Sequence, residues 1–217
     1  MKFETFIVVI VGWVFSLCLH EFSHALVAYF GGDTTVKEKG YLTFNPLKYT
    51  HPVYSLLLPL LFLVMGGIGL PGGAVYIETW RLRSRGWMSA VSLAGPAANL
   101  LLAILLGLLL RFGPVTSSGV WPGLAFLAFL QISAVILNLI PLPPFDGFGA
   151  IEPYLPNSVR MAVAQTRGML PIVVFILLWN VPLVYENFWR LVSFLSQTAG
   201  VPLKLVAIGF SQFRFWT

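Results

Sequence analysis

His20-Glu21-Phe22-Ser23-His24 sits inside an apolar run, about residues 6–30, that is long enough to cross a bilayer. Two imidazoles and a carboxylate are costly at membrane depth, so their presence there asks for a use. On a helix His20 and His24 lie about 40° apart, so both rings point one way. Two neutral imidazoles on one face make half of a tetrahedral zinc site, and Glu21 beside them can serve as base for an attacking water. The competing reading is a pair of core histidines with satisfied hydrogen bonds. The metal reading is favoured because the motif falls on a predicted helix, as that chemistry requires.

Outward from the motif, composition sets the class. The 217 residues are 58% hydrophobic and only 10% charged, which argues for an integral membrane protein set in a lipid bilayer. The expected fold is an all-α membrane protein: one domain over 1–217, a polytopic bundle of five to six transmembrane helices. Its core is 6–149, and further spans or a tail occupy 150–217. The net charge of +5 is no nucleic-acid signal, since the basic residues are scattered in short loops where they orient spans. Cys18 stands alone, so there is no disulfide framework. On a helix it points about 160° from His20 and is not counted as a ligand. The first apolar run shows no clear small-residue cleavage site and reads as a retained span.

Gly31-Gly32 stops that span. Residues 33–50 are polar and read as a loop, with a short strand expected at Tyr41-Leu42-Thr43-Phe44. A second apolar run, to about residue 70, dissolves into the glycine-rich stretch 66–73. A short β-like stretch over 74–77 and a basic loop with Arg81, Arg83 and Arg85 follow. Positive residues on both flanks allow either a re-entrant element near the site or a full span. A third span covers about 88–110 and contains Gly95-Pro96-Ala97-Ala98-Asn99, whose small residues permit close helix packing. A fourth, about 121–140, ends in Pro141-Leu142-Pro143-Pro144-Phe145-Asp146-Gly147. A fifth, 169–185, is broken by Pro182, and 191–210 is apolar enough to span or to lie at the interface.

A catalytic zinc site needs a third protein ligand. Asp146 is the carboxylate at the end of an apolar span, just after prolines that cannot continue a helix. Unwound backbone at membrane depth implies a protein-lined or watery cavity. Asp146 is therefore a candidate ligand, with a plain Asp-Gly turn as the alternative. His51, beside a proline at a loop edge, is a weak candidate. Asn138 can orient water or hold an oxyanion, or simply bond a neighbouring helix. For Asn99 the helix-packing role is favoured.

These residues together resemble the site-2 proteases, zinc metalloproteases that cut substrate helices within the membrane. The match rests on His20-Glu21-Phe22-Ser23-His24 with Ala25 and Ala28, on Gly95-Pro96-Ala97-Ala98-Asn99, and on the segment 138–147 that ends in Asp146-Gly147. It covers about two-thirds of the chain and is similar to a compact prokaryotic branch without a PDZ domain. Phe145 departs from the leucine of many members. The resemblance implies Zn2+ held by His20, His24 and Asp146, with Glu21 as general base and Asn138 placing substrate or stabilising the transition state. It also implies a membrane-embedded protein substrate, a place in the prokaryotic cell membrane, and a glycine-rich segment near the site. A zinc-binding membrane regulator or scaffold without turnover is the runner-up. A metal or ion transporter is disfavoured by the few intramembrane charges and the absence of paired half-helix repeats.

Overall fold

A computed structural model describes residues 2–49, 63, 75–113, 115–166 and 168–214. The 52–70 run, apart from Leu63, lies outside the described residues. So do its two alternative courses, the glycine-rich stretch 66–73 and His51. Helix is the regular structure of the described chain, with no strand among the described residues.

The long helices are α1 (Lys2–Gly31), α3 (Arg85–Phe112) and α4 (Trp121–Asn138), each long and apolar enough to cross a membrane. Their boundaries follow local chemistry. α1 stops where Gly32 takes φ +122°, a conformation that a side chain would strain. Ser84 caps α3 by accepting from the Trp87 N–H, and Pro122 opens α4 at a position where its missing N–H costs nothing. α1 packs mainly on α3, and α4 packs on both. The outer faces stay apolar: Phe3, Ile7 and Val11 on α1 and Leu101, Leu105 and Leu108 on α3 are exposed. Such a surface suits lipid and not water. The protein is an all-α membrane protein.

Short elements complete it: α2 (Thr35–Glu38), α5 (Asp146–Ile151) and the fully unburied α6 (Asn157–Thr166). α7 (Leu170–Asn180) and α8 (Pro182–Thr198) are bent by 89° at one break and together can count as a fourth span. The break expected at Pro182 is present: α7 ends at Asn180 and Pro182 opens α8. α9 (Leu203–Phe213) is too short to cross. It lies over the bundle end: Phe213 stacks on Phe6 at 5.4 Å between centroids, and Thr5 Oγ1 donates to Gln212 Oε1 at 2.6 Å. The expected apolar run 191–210 is thus divided between the end of α8 and α9.

The expected strand at residues 41–44 is absent. Phe44 stacks on Phe22 and Phe15, and the Tyr49 hydroxyl bonds the carbonyls of Thr43 and Cys18. These contacts lay the loop along α1 and leave it no strand partner. Residues 75–78, the described part of the β-like stretch, likewise pair with no strand among the described residues; they are held by side chains of α1 and the turn after it.

Close packing at the bundle end depends on Gly107, where an added Cβ would overlap the backbone carbonyl of Ala199. Gly107→Ala is expected to destabilise the protein by about 1–3 kcal/mol, read as a lower unfolding temperature in detergent. An unchanged midpoint would mean that α3 and the turn after α8 do not meet there.

Candidate metal centre

His20 and His24 rise from adjacent turns of α1, both buried. Asp146 is the first residue of α5, after a non-helical passage over 139–145. Gly147 makes that turn possible: a Cβ there would overlap the Leu139 carbonyl. The result brings three side chains from distant sequence together. His24 Nε2 is 3.0 Å from His20 Nε2, His20 Nε2 is 3.2 Å from Asp146 Oδ2, and His24 Nε2 is 3.4 Å from Asp146 Oδ1.

The protonation logic points to a cation between them. His24 Nδ1 lies 2.6 Å from the Val91 carbonyl oxygen. A carbonyl only accepts, so Nδ1 carries a proton, and in the neutral ring Nε2 presents a lone pair. That lone pair faces a second imidazole nitrogen and a carboxylate. Asp146 Oδ2 is buried with no hydrogen-bond partner among the described residues. Donors about 2.1 Å from a tetrahedral zinc ion stand roughly 3.4 Å from one another, close to the three distances observed. His20, His24 and Asp146 can hold a metal ion.

Gly95 of α3 closes one side. A Cβ there would collide with both imidazoles, so glycine is what lets α3 pass the site. Glu21, also buried, opens on the same cavity of about 570 Å3, and Asn138 and Val75 form part of its wall. Glu21 Oε2 accepts the Val75 N–H at 3.1 Å. The carboxylate next to the paired imidazoles is thus oriented by backbone from the 75–78 segment.

Three residues of this arrangement escaped the sequence reading. The Val91 carbonyl is invisible in a sequence. Asp33 is fully buried: its Oδ1 accepts from the Thr35 N–H and hydroxyl, and its Oδ2 accepts the Glu78 N–H at 2.7 Å. The Asp-x-Thr pattern after Gly31-Gly32 was the available signal for such a local cap. Glu78 in turn binds Lys39 Nζ at 2.8 Å and the Arg81 guanidinium. Those two hydrogen bonds, Lys39 first, hold the Glu78 carboxyl below its ordinary value of 4.5.

The chain is 49% identical over 215 residues to the protein named "Putative zinc metalloprotease Rip2" of Mycolicibacterium smegmatis, covering 98% of this chain and 82% of the relative. The protein of the same name from Mycobacterium tuberculosis is 45% identical over 214 residues, with the same coverage. "Putative zinc metalloprotease YwhC" of Bacillus subtilis is 33% identical over 192 residues, 83% of each chain. No family model and no solved structure matches the sequence.

Two outcomes follow from this geometry. Gly95→Ala is expected to lower bound zinc per molecule sharply in metal analysis of the purified protein, since the methyl group takes the space of the imidazoles; full zinc content would contradict the packing described. Glu78 is ionised more readily when folded, so its contribution to stability is present above its ordinary pKa and is lost as pH falls through the lowered one. Wild type should therefore unfold at a higher temperature than Glu78→Gln at about pH 6, and the difference should shrink as pH falls below the ordinary value of 4.5. A difference that does not change with pH would refute the linkage.

Proposed function

The chain belongs to the site-2 protease family of zinc metalloproteases, and from that premise we propose that it is an intramembrane endopeptidase. Its substrates are the transmembrane segments of single-span proteins in the prokaryotic cell membrane. The observation that carries this reading is the meeting of His20, His24 and Asp146 beside Glu21, at a cavity between helices long and apolar enough to span lipid.

His20 and His24 through Nε2 and Asp146 through its carboxylate would hold the ion. Zinc, when bound, acidifies a coordinated water and polarises the scissile carbonyl. Glu21 takes a proton from the attacking water as its oxygen bonds the amide carbon. Glu21 then delivers that proton to the departing nitrogen as the C–N bond breaks. The Val75 N–H keeps the Glu21 carboxylate turned into the cavity during these transfers. Asn138, which lines the cavity, would donate to the substrate carbonyl oxygen. A helical substrate must open first, because its carbonyls are committed to intrahelical bonds. Segments with glycine or proline near the cut are favoured for that reason.

The test uses purified protein and a single-span reporter with a glycine at the cut region. Glu21→Gln is expected to keep its zinc and lose activity by about 10²–10⁴-fold. Asp146→Ala is expected to lose zinc as well. Wild-type turnover in Glu21→Gln would remove Glu21 as base, and unchanged zinc in Asp146→Ala would remove Asp146 from the ligand set.

A further inference from the structure

The two imidazoles differ on the side turned away from Asp146. His24 Nδ1 donates to the Val91 carbonyl, whereas His20 Nδ1 is buried with no partner among the described residues. A histidine that binds metal through Nε2 carries its proton on Nδ1, and that N–H is ordinarily held by a carboxylate, a carbonyl or a water. For His20 no such acceptor lies among the described residues.

An acceptor without a donor lies in the same helix contact. Asn99 is buried, and its Oδ1 has no partner among the described residues. It follows Gly95 by one turn of α3, and Gly95 abuts the His20 ring. α1 and α3 run antiparallel: Gly31 meets Trp87 and His24 meets Val91. The step from Gly95 to Asn99 therefore runs alongside the step from His20 to Ser16. A second such couple sits in the same interior. Trp13 Nε1 and Gln131 Oε1 are both buried without partners among the described residues. Gln131 Nε2 donates to Ser16 Oγ at 3.0 Å, and Ser16 donates to the Trp13 carbonyl at 2.8 Å. Two donors and two acceptors thus line one seam between α1, α3 and α4. Buried groups in such balance are ordinarily joined by internal water.

We propose that Asn99 is a positioning residue of the metal centre: through one buried water its side-chain oxygen takes the Nδ1 proton of His20, fixing Nε2 as the nitrogen that faces Asp146. The inference rests on the metal reading above and assigns the seam to it. Asn99 acts through His20 and does not touch substrate. A pure helix-packing role would need the shape of the side chain and not its oxygen.

The test measures zinc affinity of purified full-length protein by competition with a chromophoric chelator, and the visible absorption of the Co2+-substituted form. Asn99→Leu keeps the branched outline of the side chain and removes the acceptor; Asn99→Asp keeps an acceptor oxygen. Asn99→Leu should bind zinc about 10–100-fold more weakly with an altered Co2+ band, and Asn99→Asp should stay within about threefold of wild type. Wild-type affinity in Asn99→Leu would overturn the proposal. A tenfold or greater loss in Asn99→Asp would also overturn it, and that variant decides the matter if Asn99→Leu does not fold. If wild type itself binds no zinc, the metal reading falls and this inference with it. If wild type binds zinc and the variants do not separate, this inference falls alone.

Discussion

Three lone-pair donors meet at one point inside an apolar bundle, and the rest of the structure is arranged around keeping them there. Two imidazole nitrogens and a carboxylate have no reason to approach within 3.0–3.4 Å unless a positive charge is shared among them. Without it their dipoles and charge oppose one another in a medium of low dielectric, where such opposition is strong. The identity of the chain as a zinc metalloprotease and this geometry point to the same species.

α1 supplies most of the scaffold. One of its faces carries His20, Glu21 and His24. The turn after it carries Asp33, and its flank receives the aromatic loop through Phe15 and Phe22. α3 contributes mainly by being thin: Gly95 lets it pass the imidazoles, and the Val91 carbonyl just before fixes one tautomer. Asp146 arrives from the far side on a turn that needs Gly147. Each approach is close, and each would be lost to a single methyl group or a one-residue shift of register.

The long helices were legible because an apolar run of that length and a glycine stop are local signals; α1, α3 and α4 lie within four residues of the expected bounds. His20, Glu21, His24 and Asp146 were picked out because ionisable side chains are rare and conspicuous in such runs. What escaped was set by tertiary contact. Tyr41-Leu42-Thr43-Phe44 has strand-like composition, but Phe44 and Tyr49 are drawn onto α1 instead. The break at Pro182 is a local signal, but the 89° bend it makes is not. Asp33 and Glu78 carry no role that the sequence analysis assigns, and only the folded chain shows that they hold the 75–78 segment.

Lipid and hydrolysis make opposite demands on backbone. Lipid tolerates only backbone whose polar groups are paired within the segment. Amide hydrolysis needs water, a base and an amide with a free carbonyl in one place. The fold separates these demands in space. The exposed apolar faces of α1 and α3 are regular helix, while the non-helical stretches at the site, 75–78 and 139–145, contribute Val75 and Phe145 to the cavity wall. In the first, the Val75 N–H is spent on Glu21 and the Glu78 N–H on Asp33, so the segment's unpaired backbone is satisfied by carboxylates and not by a sheet. The contact that satisfies the Val75 N–H also aims the proposed base, so in this segment backbone pairing and proton transfer depend on the same hydrogen bond.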